Sequence, residues 1–208
     1  MNNSKNMGIN CLIENSSINQ MINEYHQMLS TASQVNRLCA EAQSYFQGAI
    51  QQENRARRAN KRAMWVAGSD DGGGYEMICQ AKRSRNMNRA IDSAQMGSET
   101  LHRAFSLIPR GCLLRHRYPH QMKNIGTTPI PNLTGDNFGR AVRMDMMGGG
   151  AGALRNDFRA KKNIKRNLRV LQSCAQICGQ QQKLLKALTN TIQTDMTRLQ
   201  RQQQKQQK

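Results

Sequence analysis

Residues 17–50, SINQMINEYHQMLSTASQVNRLCAEAQSYFQGAI, decide how this chain folds. Small or apolar side chains recur there at alternating spacings of three and four: Ile18, Met21, Tyr25, Met28, Ala32, Val35, Cys39, Ala42, Phe46 and Ala49. No charge falls on the series. The spacing therefore predicts a helix that buries one continuous stripe, the signature of heptad packing. Ile22, Leu29 and Leu38 widen the stripe on one side, which suits a helix packed against more than one neighbour. Ser17 and Gln20 have the spacing of a capping box, which places the helix start there.

Upstream, residues 1–16 are polar and Asn-rich and read as a tail. Downstream, the stripe fades after Ile50 into Arg55-Ala-Arg-Arg-Ala-Asn-Lys-Arg62, and the first helix is expected to span 17–67. Residues 68–74, which hold four glycines, read as a hinge, because glycine is costly to order. A second helix is expected over 75–108, with Met87, Ile91, Ala94, Ser98, Leu101, Phe105 and Ile108 on its seam. Pro109 stops it.

Residues 109–156 contain all four prolines and the run Gly148-Gly-Gly-Ala-Gly152, and they read as an irregular loop. A loop of that length is expected to be functional or ordered by a partner. The third helix, 157–208, carries a seam of Ile164, Leu168, Leu171, Ala175, Cys178, Gln182, Leu185, Thr189, Ile192, Met196 and Leu199, and ends in a Gln- and Lys-rich tail. The expected fold is all-α and elongated: three long heptad-patterned helices, as a coiled coil or open bundle, with one long Pro- and Gly-containing loop. The expected packing interface comprises Ile18, Met21, Tyr25, Met28, Val35, Phe46, Ile164, Leu168, Leu171, Leu185, Ile192, Met196 and Leu199.

Hydrophobic residues make up 38% of the chain and aromatic ones 4%, so the core must be thin and a deep substrate cleft is not expected. The formal net charge of +18 speaks to partners rather than to fold. Nucleic acid, an anionic membrane surface and an acidic protein surface are the three candidates. Of that surplus, +11 lies in residues 159–208. Arg155, Arg159, Lys162, Arg166 and Arg169 recur at helical spacing, flanked by Lys161 and Lys165, and form one basic stripe. Like charges at that spacing oppose the helix until something anionic neutralises them. A second cluster, Arg55, Arg57, Arg58, Lys61 and Arg62, reads as a nuclear localisation signal or a further phosphate patch. Nine aromatics are scattered along the chain and offer no stacking platform for single strands. The expected contact is to phosphates, without sequence readout.

No phosphate-binding loop, dinucleotide fingerprint, nucleophile elbow or zinc-protease motif is present, so the chain is expected to be non-enzymatic and without cofactor. Cys112, His116 and His120 lie at four-residue intervals, but Arg115 and Arg117 would repel a cation, and ordinary loop roles are favoured over zinc. Cys174 and Cys178, one helical turn apart, are expected in the core rather than on a metal. Scattered free cysteines point to a reducing, intracellular environment or a virion rather than secretion, and no apolar run approaches membrane-spanning length. These features lead to the expectation of a structural protein of a nucleoprotein particle, with a virion the favoured kind. It would self-associate or pack with other helical proteins while its basic segments contact nucleic acid or an acidic shell. A protein-only coiled-coil scaffold, a ribosomal or organellar accessory protein and a membrane-active ejection protein are the alternatives.

Overall fold

The structure is a computed structural model that describes residues 3–66, 73–136 and 150–206, with side chains described at 17–66, 74–136 and 154–205. The fold is all-α. Its elements are α1 (Asn3–Val66), α2 (Gly73–Ser106), α3 (Leu113–Arg117), α4 (Pro119–Met122) and α5 (Gly150–Gln206). No described helix is long and apolar enough to cross a membrane.

Three boundaries differ from the sequence reading. The first helix takes in residues 3–16, so Ser17 lies inside it instead of capping it. Those residues hold no proline and a single glycine, Gly8, and extending an existing helix costs far less than starting one. Of the expected hinge, 68–72 lies outside the described residues, whereas Gly73 and Gly74 already belong to α2. The expected loop 109–156 holds two short helices, and α5 begins at Gly150. Pro119 opens α4, a position where its missing N–H costs nothing. Residues 137–149 lie outside the described residues.

Along α1 the buried stripe runs through Ile18, Met28, Ala32, Val35, Cys39, Ala42, Phe46, Ala49, Glu53, Ala56, Asn60 and Ala63. The three–four rhythm therefore continues past Ile50, with two polar residues occupying seam positions. In α2 the rhythm passes through Met87, Ala90, Ala94, Gly97, Leu101 and Ala104, and reaches Ile108 just past the helix end. In α5 it passes through Asp157, Ala160, Ile164, Asn167, Leu171, Cys174, Cys178, Gln181, Leu185, Leu188 and Ile192. From Met87 to Ile108 and from Ile164 to Ile192, every second expected seam position shifts by one residue. Most of the residues that take the inner place are small (Ala90, Gly97, Ala104) or carry polar or sulfur atoms (Asn167, Cys174, Gln181). Ile91, Phe105 and Leu168 sit half-buried beside them.

The chain divides into two compact units. The first comprises Met1–Leu38, Arg103–Thr127 and Gln180–Lys208. Its core includes Met28, Val35, Ile108, Leu114, Tyr118, Met122, Ile125, Leu185, Leu188 and Ile192. Arg115 shapes the loop: its Nε donates to the Ile108 carbonyl (3.1 Å), Nη1 to that of Met122 (3.3 Å) and Nη2 to that of Ile125 (3.3 Å). Gly126, at φ +115°, turns the chain so that its N–H donates to Gln181 Oε1 (3.0 Å). Gln181 Nε2 in turn donates to the Asn124 carbonyl (3.0 Å). A buried glutamine on α5 thus replaces the backbone partners that this turn lacks. Tyr118 donates to Asp195 (2.8 Å), and Arg117 binds Glu24 (2.8 Å) with its guanidinium 5.4 Å from the Tyr25 ring centre.

The second unit comprises Cys39–His102 and Thr128–Gly179. Ala56, Met87 and Ile164 form a buried cluster with Leu168 packed against it. Gly97 receives the Phe46 ring; a Cβ there would lie 3.1 Å from Phe46 Cζ. This unit carries the site described next.

Candidate functional site

The polar seam residues set the register of the second unit. Gln43 Nε2 donates to the Ala175 carbonyl (3.4 Å), Asn167 Nδ2 to Glu53 Oε1 (2.5 Å), and Asn60 Nδ2 to the Asp157 carbonyl (3.3 Å). Numbers rise along α1 as they fall along α5, so these parts of the two helices run antiparallel. Gly97 against Phe46 and Arg83 against Asn60 give the same relation between α1 and α2. Residues 55–62, 82–89 and 155–169 consequently share one end of the unit.

Arg83 lies at the centre of that end with no solvent exposure. Its Nε donates to Asp136 Oδ2 (2.6 Å), and its Nη1 donates to Asn60 Oδ1 (2.7 Å) and to Asp157 Oδ1. Ser84 Oγ donates to the Asp136 carbonyl (3.0 Å). One guanidinium thus joins all three long helices to the segment that follows residue 128. A second polar knot lies further along. Asn167 bonds both backbone groups of Thr134, accepting from its N–H (3.0 Å) and donating to its carbonyl (2.9 Å), while also donating to Glu53. Burial pushes the Glu53 carboxyl up to about 7, only partly offset by the Asn167 hydrogen bond.

This arrangement sorts the charges. Within 53–66, 76–89 and 154–169 the only carboxylates are Glu53, Glu76 and Asp157, and all three are buried. The cations of the same spans, Arg83 excepted, all face solvent. They are Arg55, Arg57, Arg58, Lys61 and Arg62 on α1, Lys82, Arg85 and Arg89 on α2, and Arg155, Arg159, Lys161, Lys162, Lys165, Arg166 and Arg169 on α5. None of them has an ion pair or hydrogen bond among the described residues. The two basic clusters expected from the sequence, far apart in the chain, lie at the same end. The three α2 cations escape the sequence reading because residues 67–108 sum to zero charge. The buried knots around Arg83 and Asn167 leave no sequence signal beyond polar residues at seam spacing.

Of the expected packing residues, Ile18, Met28, Val35, Phe46, Ile164, Leu171, Leu185 and Ile192 are buried, whereas Met21, Tyr25, Leu168, Met196 and Leu199 remain partly exposed. Cys39, Cys174 and Cys178 are buried in the second unit. Burial raises the Cys39 thiol to about 11, and raises Cys178 to about 12 with Cys39 and Cys174 nearby adding to the effect. Cys174 is raised for the same reason, so all three stay protonated at neutral pH. His116 and His120 are exposed and Cys112 half-exposed. Among the described residues no three His, Cys, Asp or Glu side chains converge on a metal-sized site. Compared with protein-family models, with curated proteins and with solved structures, the chain finds no match.

Proposed function

We propose that this chain is a non-enzymatic structural protein of a nucleoprotein particle, such as a virion, whose helices pack with like or other helical proteins. The basic end of the second unit binds the phosphate backbone of nucleic acid there. One observation carries this reading: every carboxylate in the three helical spans at that end is turned inward, and fifteen cations are left on the outside without an ion pair among the described residues. A solvated surface ordinarily mixes both signs, because unopposed like charges at helical spacing destabilise the helices that carry them. Phosphates reverse that penalty, and each neutralised phosphate releases a counterion.

The test compares two sets of substitutions. Replacing Lys161, Lys162, Lys165 and Arg166 by Gln should weaken binding to generic DNA or RNA by at least about tenfold at low salt. Replacing Lys183, Lys186, Arg198 and Arg201, exposed on α5 in the first unit, by Gln removes the same charge and should weaken it far less. Equal losses would show a diffuse charge effect, and failure of the unaltered protein to bind at low salt would leave the protein-only scaffold as the better reading.

A further inference from the structure

Resting on that reading, we propose that the basic end of the second unit takes single-stranded nucleic acid in preference to duplex, stacking unpaired bases on Trp65, Tyr75 and Phe158. In the sequence these aromatics are isolated. In the fold they come to one end, and all are exposed: Trp65 by 83%, Tyr75 by 51% and Phe158 by 58%.

Their placement follows from the Arg83 knot. Asn60, Arg83 and Asp157 bond one another and so mark one level across α1, α2 and α5. Phe158 is adjacent to Asp157. Trp65 lies five residues beyond Asn60, about 7.5 Å along the axis, and Tyr75 eight residues before Arg83, about 12 Å. Because α1 runs opposite to the other two, both displacements point to the same end. Phe158 thus lies within the cation field described above, while Trp65 and Tyr75 stand beyond its outermost cations, Arg62 and Arg155, by about 4.5 and 9 Å along the axis. Exposed aromatics beside backbone-binding cations are the physical requirements for single-strand binding, since every base offers a stackable face and the backbone supplies the charge.

Duplex DNA hides its base faces and leaves such exposed rings without a partner. An anionic membrane would also accept aromatics next to cations. However, the α5 cations run from Arg155 to Arg169, about 21 Å along the axis, which a surface touching the end of the unit does not reach and a flexible polyanion does. Met77 and Ile78 are exposed at the same end and extend the apolar surface beside the rings.

Trp65 is the only tryptophan in the chain, so its fluorescence reports on this end alone. Titration of the full chain with single-stranded oligothymidylate should quench Trp65, and inorganic polyphosphate, a polyanion without bases, should bind without that quench. Trp65→Ala removes an exposed side chain and should leave the fold intact. It should weaken single-strand binding by about 5- to 100-fold and duplex binding by less than about twofold. A Phe158→Ala variant gives the same comparison without loss of the fluorophore. Binding of oligothymidylate with unchanged Trp65 emission, or equal loss for single strand and duplex, overturns the stacking proposal while the phosphate reading stands. No binding to either strand type overturns both. A blue shift on phosphatidylserine-containing vesicles with no response to oligonucleotides assigns the surface to lipid and overturns the proposal.

Discussion

Arg83 of α2 and Asp157 of α5 form an ion pair with neither side chain exposed to solvent. Asp136 also reaches the guanidinium and is itself only 8% exposed. Burying two opposite charges gains little against a well-packed apolar pair, yet removing one partner leaves the other stranded. Arg83→Ala should therefore destabilise the protein by about 3–5 kcal/mol. Urea unfolding of the variant measures this. A loss under about 1 kcal/mol would show that the pair does not join the helices.

Glu53 should make stability depend on pH in a defined window. Its carboxyl is raised from 4.5 to about 7 by burial, so the folded chain holds that proton more tightly than the unfolded one. The resulting contribution is complete below the unfolded value and is lost as pH rises through the folded one. Stability should fall by roughly 3 kcal/mol between about pH 4.5 and 7, from a shift of that size. Glu53→Gln, which mimics the protonated acid toward Asn167, should flatten that part of the profile. Parallel profiles for the two proteins would rule Glu53 out as the titrating group.

Gly97 should not tolerate a methyl group. With Phe46 carbons 3.1–3.2 Å from the position a Cβ would take, Gly97→Ala must push the ring out of a fully buried place. Alanine normally strengthens a helix interior by up to about 1 kcal/mol over glycine. Here a net loss of about 1–2 kcal/mol is expected from overpacking. A higher melting temperature for the variant would contradict that.

The three–four rhythm of Ile18 to Ala49 makes the helical class readable at sight, and most of those residues are buried. Preferring the larger apolar residue at each ambiguous step misleads elsewhere. Leu168 looks like a better core residue than Asn167, but Asn167 is the one inside, because its amide bonds Thr134 and Glu53 together. On α1, Glu53 and Asn60 likewise end the visible stripe, although the buried one continues to Ala63. Side chains that satisfy tertiary hydrogen bonds cannot be told from surface ones by polarity alone. The α5 basic stripe is legible because charge and spacing both survive in the sequence. Its union with the α1 cluster is not, since it depends on the antiparallel register set by Asn60 and Asp157.

Within the first unit, Arg115 should matter more than its half-exposed position suggests. It donates to three carbonyls between Ile108 and Ile125 that have few other partners. Arg115→Ala should loosen residues 108–126 and cost about 2–3 kcal/mol, near 1 kcal/mol for each hydrogen bond lost. Faster amide hydrogen exchange confined to that segment is the expected readout, and unchanged exchange there would refute the role.

The most direct test of the central claim is the salt dependence of nucleic-acid binding by the unaltered protein. Roughly five or more phosphates engaged by the cations of α1, α2 and α5 should give a slope of log K against log salt of about −4 or steeper. A slope near zero, or no measurable binding at about 50 mM salt, would contradict it.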